Sequence, residues 1–150
     1  MARKRGWHFL DHRMRSRCGA EKPWRVGEVR EVEGPIGLCR RGYHASVQPL
    51  DAISYCLLYR PRLCRVEESR EIVYGSRKMV ARRRRLLWAL TVKQTERVLR
   101  EFVRHVAGED DSNRSGVDAA HIAAAQHEPT RTKQNRCLAA MLHKAHREAK

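Results

Sequence analysis

The chain has 150 residues, of which 41% are hydrophobic and 6% aromatic, enough for one modest and mostly aliphatic core. Its 32 lysines and arginines stand against 17 acidic residues, which gives a formal net charge of +15 at pH 7. A surface with this surplus attracts polyanions and opposes self-association. The sequence has no apolar run of about 18 residues and no secretory signal, so we expect a cytoplasmic protein without a membrane span.

The first half of the chain predicts short strands and one short helix. Residues 7–10 form an apolar cluster that indicates a first strand, and the valine-rich residues 24–33 indicate a strand or strand pair. Gly42 follows two arginines and is the expected site of a positive φ angle. Pro49 suits the first turn of a helix that runs to about residue 58, because proline lacks the N–H that would be unpaired there.

Two further strands are predicted on the C-terminal side of this helix. Residues 62–67 alternate between two faces, with Leu63 on one face and with Cys64 and Val66 on the other. Residues 71–75 indicate another short strand, since they combine β-branched and aromatic side chains and end in glycine.

A run of four arginines, Arg82 to Arg85, lies in a strand predicted over residues 78–90. Alternation along that strand would place two arginines on each of its faces. Arginine is rarely buried without a partner. The run therefore predicts a strand at the sheet margin, where both faces reach water or an anionic partner.

The last sixty residues predict helices. Thr91 and Gln94 have the spacing of a capping box, and an amphipathic helix follows that ends near Gly108. An exposed linker is expected near residues 109–116, followed by an alanine-rich helix, a break at residues 128–130 and a final helix. The sequence thus predicts an α+β domain over 1–90, with a small mixed β-sheet and one short helix, and an α-helical C-terminal segment over 91–150.

The basic side chains are segregated along the chain. Residues 31–75 carry six basic and six acidic side chains, whereas residues 76–104 carry ten basic and two acidic ones. This pattern favours a surface that contacts phosphates. Trp88 after the arginine run, together with Trp7, His8 and Trp24, could stack on bases; the alternative is that the tryptophans belong to the core. The residues expected to bind nucleic acid are Lys78, Arg82, Arg83, Arg84, Arg85, Arg97 and Arg104.

The five cysteines do not predict a metal site. Their spacing lacks the two-to-four-residue intervals of common zinc sites. We therefore expect reduced thiols and no cofactor. The five cysteines are Cys18, Cys39, Cys56, Cys64 and Cys137. Cys39 and His44 could form a thiol–base pair oriented by Asp51, although spacing alone does not enforce that geometry. No glycine-rich phosphate loop or dinucleotide fingerprint is present.

An enzymatic alternative comes from the order of several polar residues. ADP-ribosyltransferase-like folds show a polar residue on an early strand, a Gly-x-His-small step into a helix, and later strands that bear a carboxylate. The chain has this order in His8, Gly42 to Ser46, Ala52 to Tyr55, and Glu67, Glu68 or Glu71. If the protein is an enzyme, its expected catalytic residues are His8, Tyr43, His44 and Glu67.

Several short motifs between residues 7 and 90 occur together, among them Trp7-His8-Phe9-Leu10, Gly34-Pro35-Ile36, His44-Ala45-Ser46, Pro49-Leu50-Asp51-Ala52 and Cys64-Arg65-Val66-Glu67. Together they resemble a family of small uncharacterised proteins from bacterial, prophage and phage genomes. The resemblance implies a phage or mobile-element context and no particular activity. Arg70 departs from the glycine that is usual in that family, which puts the local turn in doubt.

Three functional hypotheses follow. The first is a non-enzymatic accessory protein of phage type that binds DNA or RNA mainly through phosphate contacts. The second is an ADP-ribosyltransferase-like enzyme that acts on a nicotinamide dinucleotide. The third is a phage inhibitor that binds a host protein, using its own basic side chains to contact an acidic surface of that host protein.

Overall fold

A computed structural model describes residues 2–16, 21–108, 113–126 and 131–150. The predicted α+β class, with one short helix and a helical C-terminal segment, is confirmed. Cys18, residues 109–112 of the expected linker and the break at 128–130 lie outside the described residues. The elements are β1 (Arg3–Leu10), β2 (Val29–Glu31), β3 (Tyr43–Ser46), α1 (Pro49–Ser54), β4 (Arg62–Tyr74), β5 (Lys78–Ala89), α2 (Val92–Ala107), α3 (Gly116–Gln126) and α4 (Arg131–Glu148).

The strands form a small closed sheet. β1 pairs with β3 and β4, while β5 pairs with β2, β3 and β4, so the order β1-β3-β5-β4 returns to β1 as a barrel. Every pairing among the described strands is antiparallel, where the sequence predicted a mixed sheet. The reason is that the connection through α1 leads from β3 on one side of β1 to β4 on its other side, and both strands run antiparallel to β1. β3 and β4 therefore flank β1 and are not hydrogen-bonded to each other.

β4 is one long strand, although the sequence predicted two. Its pairing with β5 shifts register between Arg65 and Val66 and again between Ser69 and Ile72. Arg70 lies in the second irregularity with a φ angle of 59°. Such an angle favours glycine because it brings a Cβ close to the backbone. The unusual arginine therefore occupies a β-bulge within the strand.

Alternation along the strands creates two separate cores, as predicted for residues 62–67. Leu63 faces the helices and packs with Trp7, Phe9 and the apolar side chains of α2, α3 and α4. Cys64 and Val66 face the other way, into the barrel. The remaining members of this inner core are Leu10, Trp24, Ala45, Met79 and Leu86.

The helix boundaries largely follow local sequence signals. The capping box of α2 is confirmed, since Thr91 Oγ1 accepts a hydrogen bond from the Gln94 N–H and Gln94 Oε1 accepts one from the Thr91 N–H. The helix ends at Gly108 in a left-handed conformation. Pro49 is the first residue of α1, as predicted, but α1 ends at Ser54, about one turn before the predicted end.

The four-arginine run does not lie at a sheet margin. β5 is paired on both edges, so alternation turns Arg84 into the barrel interior, where it is 2% exposed. Its Nε donates a hydrogen bond to Oε1 of Glu68 over 2.7 Å, and its Nη2 donates to the His44 carbonyl over 2.6 Å. Glu68 is fully buried. Burial raises the pKa of the Glu68 carboxyl, and the guanidinium of Arg84 opposes that rise.

We expect the variant Arg84→Met to lose about 3–5 kcal/mol of unfolding free energy at pH 7, because it leaves the Glu68 carboxylate buried without a counter-charge. Urea denaturation of the full chain measures this change. The control Arg85→Met removes an exposed neighbouring charge and should change stability by less than about 0.5 kcal/mol. The double variant Arg84→Met/Glu68→Leu should recover part of the loss, and equal stability of Arg84→Met and the native chain would contradict the role of the pair.

Candidate functional site

A cleft opens where β1 and β3 meet α1 and the turn at residues 38–40. Its volume is about 420 Å³, and its walls are mostly apolar. It is lined by Trp7, His8, Phe9, Cys39, Arg40, His44, Ala45, Ser46, Ala52, Tyr55, Cys56, Leu57, Leu58 and Lys78. The cleft therefore collects His8 and several residues of the segments 42–46 and 52–55, which the sequence analysis named for the transferase alternative.

His44 is held in one orientation by two backbone hydrogen bonds. Its Nε2 accepts from the Cys39 N–H over 2.9 Å, and its Nδ1 lies 3.1 Å from the Gly42 carbonyl, to which it donates as the Nδ1–H tautomer. Burial lowers the pKa of His44, and the nearby cations of Lys78 and Arg84 lower it further. His44 is therefore neutral near pH 7 and faces the amide of Cys39, so the structure does not form the considered thiol–base pair.

Asp51 does not orient His44 either. Its carboxylate lies 2.7 Å from the guanidinium of Arg131 in α4. In the same region, the Asn135 side chain accepts a hydrogen bond from the Leu50 N–H over 3.0 Å. These two contacts anchor α1, one wall of the cleft, to α4.

The mouth of the cleft carries an ammonium group, a thiol and an aromatic ring. Nζ of Lys78 lies 2.6 Å from Sγ of Cys39 and 5.2 Å from the centroid of the Tyr55 ring. The contact with the Cys39 sulfur raises the pKa of Lys78. Cys39 adopts a left-handed φ angle of 60°, which turns its exposed side chain toward Lys78. Sequence spacing gave no sign of this contact between residues 39 positions apart.

His8 enters the cleft from β1. Its Nε2 lies 3.2 Å from the hydroxyl of Ser16. Burial lowers the pKa of His8 well below its ordinary value, and the positive charge of Arg84 and the neighbouring His44 lower it further. His8 is therefore a neutral hydrogen-bonding group at the base of the cleft.

The residues expected for a transferase are only partly brought together. His8 and His44 line the cleft, but alternation along β3 turns Tyr43 into the barrel, where its ring lies 5.6 Å from that of Trp24. Glu67 pairs with Arg3 on the outside of the sheet. Glu68 pairs with Arg84 and Glu71 with Arg82. Among the described residues that line the cleft, none has a carboxylate.

A second candidate site is the outer face of the sheet. Strand pairing aligns Arg5, Glu67 and Arg85 in one row, and Arg3, Ser69 and Arg83 in the next. Opposed residues share a face, and so do residues two apart on one strand. We call this surface the basic face; its arginines are Arg3, Arg5, Arg65, Arg83 and Arg85. A cleft of about 220 Å³ lies between Arg3, Arg83 and Arg85.

Arg65 differs from the other described arginines of the basic face because two of its guanidinium nitrogens, Nε and Nη1, are buried without a hydrogen-bond partner among the described residues. The guanidinium carbon lies 4.2 Å from the centroid of the Trp7 ring. Burial lowers the pKa of Arg65 to about 10, and the positive charge of Arg5 acts in the same direction.

The C-terminal end of α4 borders the basic face. The rings of His143 and Trp7 are 5.4 Å apart, and His146 stacks on Trp88 at 4.5 Å. Burial lowers the pKa of His143, and so do the cations of Arg65 and Arg147. Trp7, Trp24 and Trp88 are all buried, in keeping with the alternative that they belong to the core.

The residues predicted to bind nucleic acid are dispersed. Arg83 and Arg85 lie on the basic face, whereas Arg84 is buried and Arg82 donates to the carbonyls of Val32 and Gly34. The other three lie elsewhere: Lys78 at the cleft, and Arg97 and Arg104 on α2. Sequence reasoning missed Arg3, Arg5 and Arg65. The period-two spacing of Arg3 and Arg5 was a usable signal, but their position beside Arg85 depends on strand register.

Two classes of site are not seen in the described part of the chain. Across residues 2–16, 21–108, 113–126 and 131–150, no three histidine, cysteine or acidic side chains are grouped so that they could hold a metal ion. In the same residues no helix combines the length and apolar character that crossing a bilayer requires.

We expect stability to fall as the pH drops below about 6.5, because below this value the unfolded chain protonates His8 whereas the folded chain does not. The variant His8→Gln should flatten this dependence between pH 6.5 and 5 by up to about 1.4 kcal/mol per pH unit. Urea denaturation at several pH values measures the slope. His12→Gln, which changes an exposed histidine, is the control for the substitution itself, and an unchanged slope in His8→Gln would contradict the prediction.

Comparison with known proteins gives one match. A family model described as "Domain of unknown function (DUF7666)" covers residues 4–97. That segment includes the cleft, most of the basic face and the residues 7–90 on which the resemblance was based. No curated protein and no solved structure was found to match the chain. The chain belongs to the DUF7666 family, whose function is unknown, as the sequence motifs led us to expect.

Proposed function

We propose that this protein binds nucleic acid without catalysis, through phosphate contacts made by the basic face. Five arginines converge there from β1, β4 and β5. The carboxylates aligned with them, Glu67 and Glu31, are close to Arg3 and Arg70 respectively. The face therefore presents more guanidinium groups than its own carboxylates neutralise, within a chain of net charge +15.

The observation that carries the proposal is that two guanidinium nitrogens of Arg65 are buried without a hydrogen-bond acceptor among the described residues. The buried nitrogens have lost their hydration, and the cation–π contact with Trp7 replaces it only in part. Both nitrogens are closed to solvent, so a phosphate would contact the remaining nitrogen of Arg65, Nη2, and would supply the opposite charge that the guanidinium lacks. Arg5, which also disfavours the charged form of Arg65, would be stabilised by the same anion.

The form of the basic face favours backbone contacts over base readout. It is a sheet surface with long cationic side chains and a shallow cleft between Arg3, Arg83 and Arg85. The aromatic rings beside it are covered, Trp7 by Arg65 and His143 and Trp88 by His146. Binding should therefore depend strongly on salt and weakly on sequence.

We expect Arg83→Ala/Arg85→Ala to weaken binding of DNA and RNA regardless of sequence, because each change removes a phosphate contact. The slope of log affinity against log salt concentration should decrease by about 1.4–1.8 in magnitude. Filter binding with a duplex, a single-stranded DNA and an RNA measures both quantities.

The matched control is Arg97→Ala/Arg104→Ala, which removes the same charge from exposed positions of α2. It should retain nearly all of the affinity. Equal losses in both double variants would show that net charge and not the basic face determines binding. Absence of DNA and RNA binding at low salt would overturn the proposal, and recovery of an acidic host protein from nuclease-treated lysate would then favour the inhibitor hypothesis.

For the ADP-ribosyltransferase hypothesis, the cleft supports ligand binding but provides no catalytic carboxylate among its described lining residues. His8, His44, Ala45, Ser46 and Tyr55 line one cleft, in keeping with their order in the sequence. Transfer of ADP-ribose needs a carboxylate to stabilise positive charge on the ribose as nicotinamide leaves. Glu67, the residue expected for that task, lies on the basic face. We therefore keep ligand binding at the cleft as a separate question from catalysis.

A further inference from the structure

We infer that the cleft beside β1 and α1 is a binding site for a small nucleotide, a planar base that carries phosphate. This site is independent of the basic face and of nucleic-acid binding. The cleft lies between β1, β3 and α1, whereas the arginines of the basic face project from the outer surface of β1, β4 and β5. The inference rests on the shape, the charge and the exposed aromatic residue of the cleft.

The shape is that of a small-molecule site. The volume of about 420 Å³ lies within the range of pockets that hold drug-sized ligands. Trp7, Phe9 and Ala52 form apolar walls, and the hydroxyl of Ser46 and the ring of His8 provide polar groups. A few polar groups among apolar walls are the usual composition of a site that orients one ligand.

The rim of the cleft carries large hydrophobic side chains that are exposed and do not pack in either core. Tyr55 is 50% exposed and Leu57 is 68% exposed, although both follow directly on the buried side of α1. The helix that the sequence predicted to run to about residue 58 would have included Leu57. Because α1 ends at Ser54, the two side chains instead stand at the opening, where a bound ligand would cover them.

The charge of the cleft selects an anion. Lys78 and Arg40 are its cationic lining residues, and no lining residue among those described has a carboxylate. The Lys78 ammonium contacts a thiol and an aromatic ring, neither of which equals a phosphate as a hydrogen-bond acceptor. His8 and His44 are neutral, so they add hydrogen-bonding groups without adding charge.

The aromatic ring selects a planar partner for that anion. Tyr55 stands at the mouth with its ring 5.2 Å from Nζ of Lys78. A base that stacks on this ring would hold its own phosphate close to the ammonium group. A phosphate alone would leave Tyr55 and Leu57 exposed, and an uncharged aromatic compound would leave Lys78 unpaired. A nucleotide satisfies both parts of the cleft.

Calorimetric titration of the full chain with ADP, adenosine and inorganic pyrophosphate tests the inference. ADP should bind more tightly than either fragment, because it engages both the ring and the cation. Lys78→Ala should weaken ADP about tenfold or more and leave adenosine nearly unchanged, whereas Tyr55→Ala should weaken both. Lys93→Ala, an exposed lysine of α2, is the matched control and should bind ADP as the native chain does.

A second measurement uses the thiol in the cleft. Cys39 is exposed at its mouth, so bound ADP should slow alkylation of Cys39 by iodoacetamide, followed by peptide mass spectrometry. Cys137, which lies outside the cleft, should react at the same rate with and without ADP. Absence of heat with ADP together with unprotected Cys39 would overturn the inference, and so would equal affinity for ADP and pyrophosphate.

The outcome is separable from that of the proposed function. Arg83→Ala/Arg85→Ala should bind ADP normally, and Lys78→Ala should bind oligonucleotide normally. Loss of ADP binding in the basic-face variant would show that the nucleotide binds at the arginines and would contradict a site in the cleft.

Discussion

A buried ion pair between Arg84 and Glu68 joins the strands that close the barrel. The pair crosses from β5 to β4, and the second hydrogen bond of Arg84 reaches the His44 carbonyl in β3. Charged groups removed from water are stable only when their partners are in place, so these three strands must adopt one register. The same cation lies close enough to His8 and His44 to lower the pKa of each. The pair thus fixes the barrel, and its cation adds to the effect of burial, which is the main cause of the lowered pKa of both cleft histidines.

The basic face follows from the register that this pair requires. With Arg84 opposite Glu68 inside the barrel, Arg83 and Arg85 must project outward beside Ser69 and Glu67. A shift of one residue would exchange the two faces. It would bury two arginines without partners and expose the apolar inner core, so the outward position of the phosphate-binding candidates is a consequence of packing. In this sense the surface charge depends on a single interior contact.

The C-terminal helix α4 connects the two candidate sites. Arg131 and Asn135, near its start, hold α1 and therefore one wall of the cleft. His143 and His146, near its end, pack on Trp7 and Trp88 beside the basic face. The family match ends at residue 97, before this helix begins. The helical segment therefore completes both sites of a domain whose sheet and first helix are the family's own.

Features that depend on neighbouring residues were determined by the sequence itself. The capping box of α2, the positive φ angle of Gly42, the helix start at Pro49 and the two faces of residues 62–67 are set by local sterics, hydrogen bonding and alternation. Partners distant in sequence were decided only by the tertiary structure. Alternation divided the four arginines correctly into two faces, but it could not show that one face is a closed interior containing Glu68, because sheet closure brings together residues from four strands.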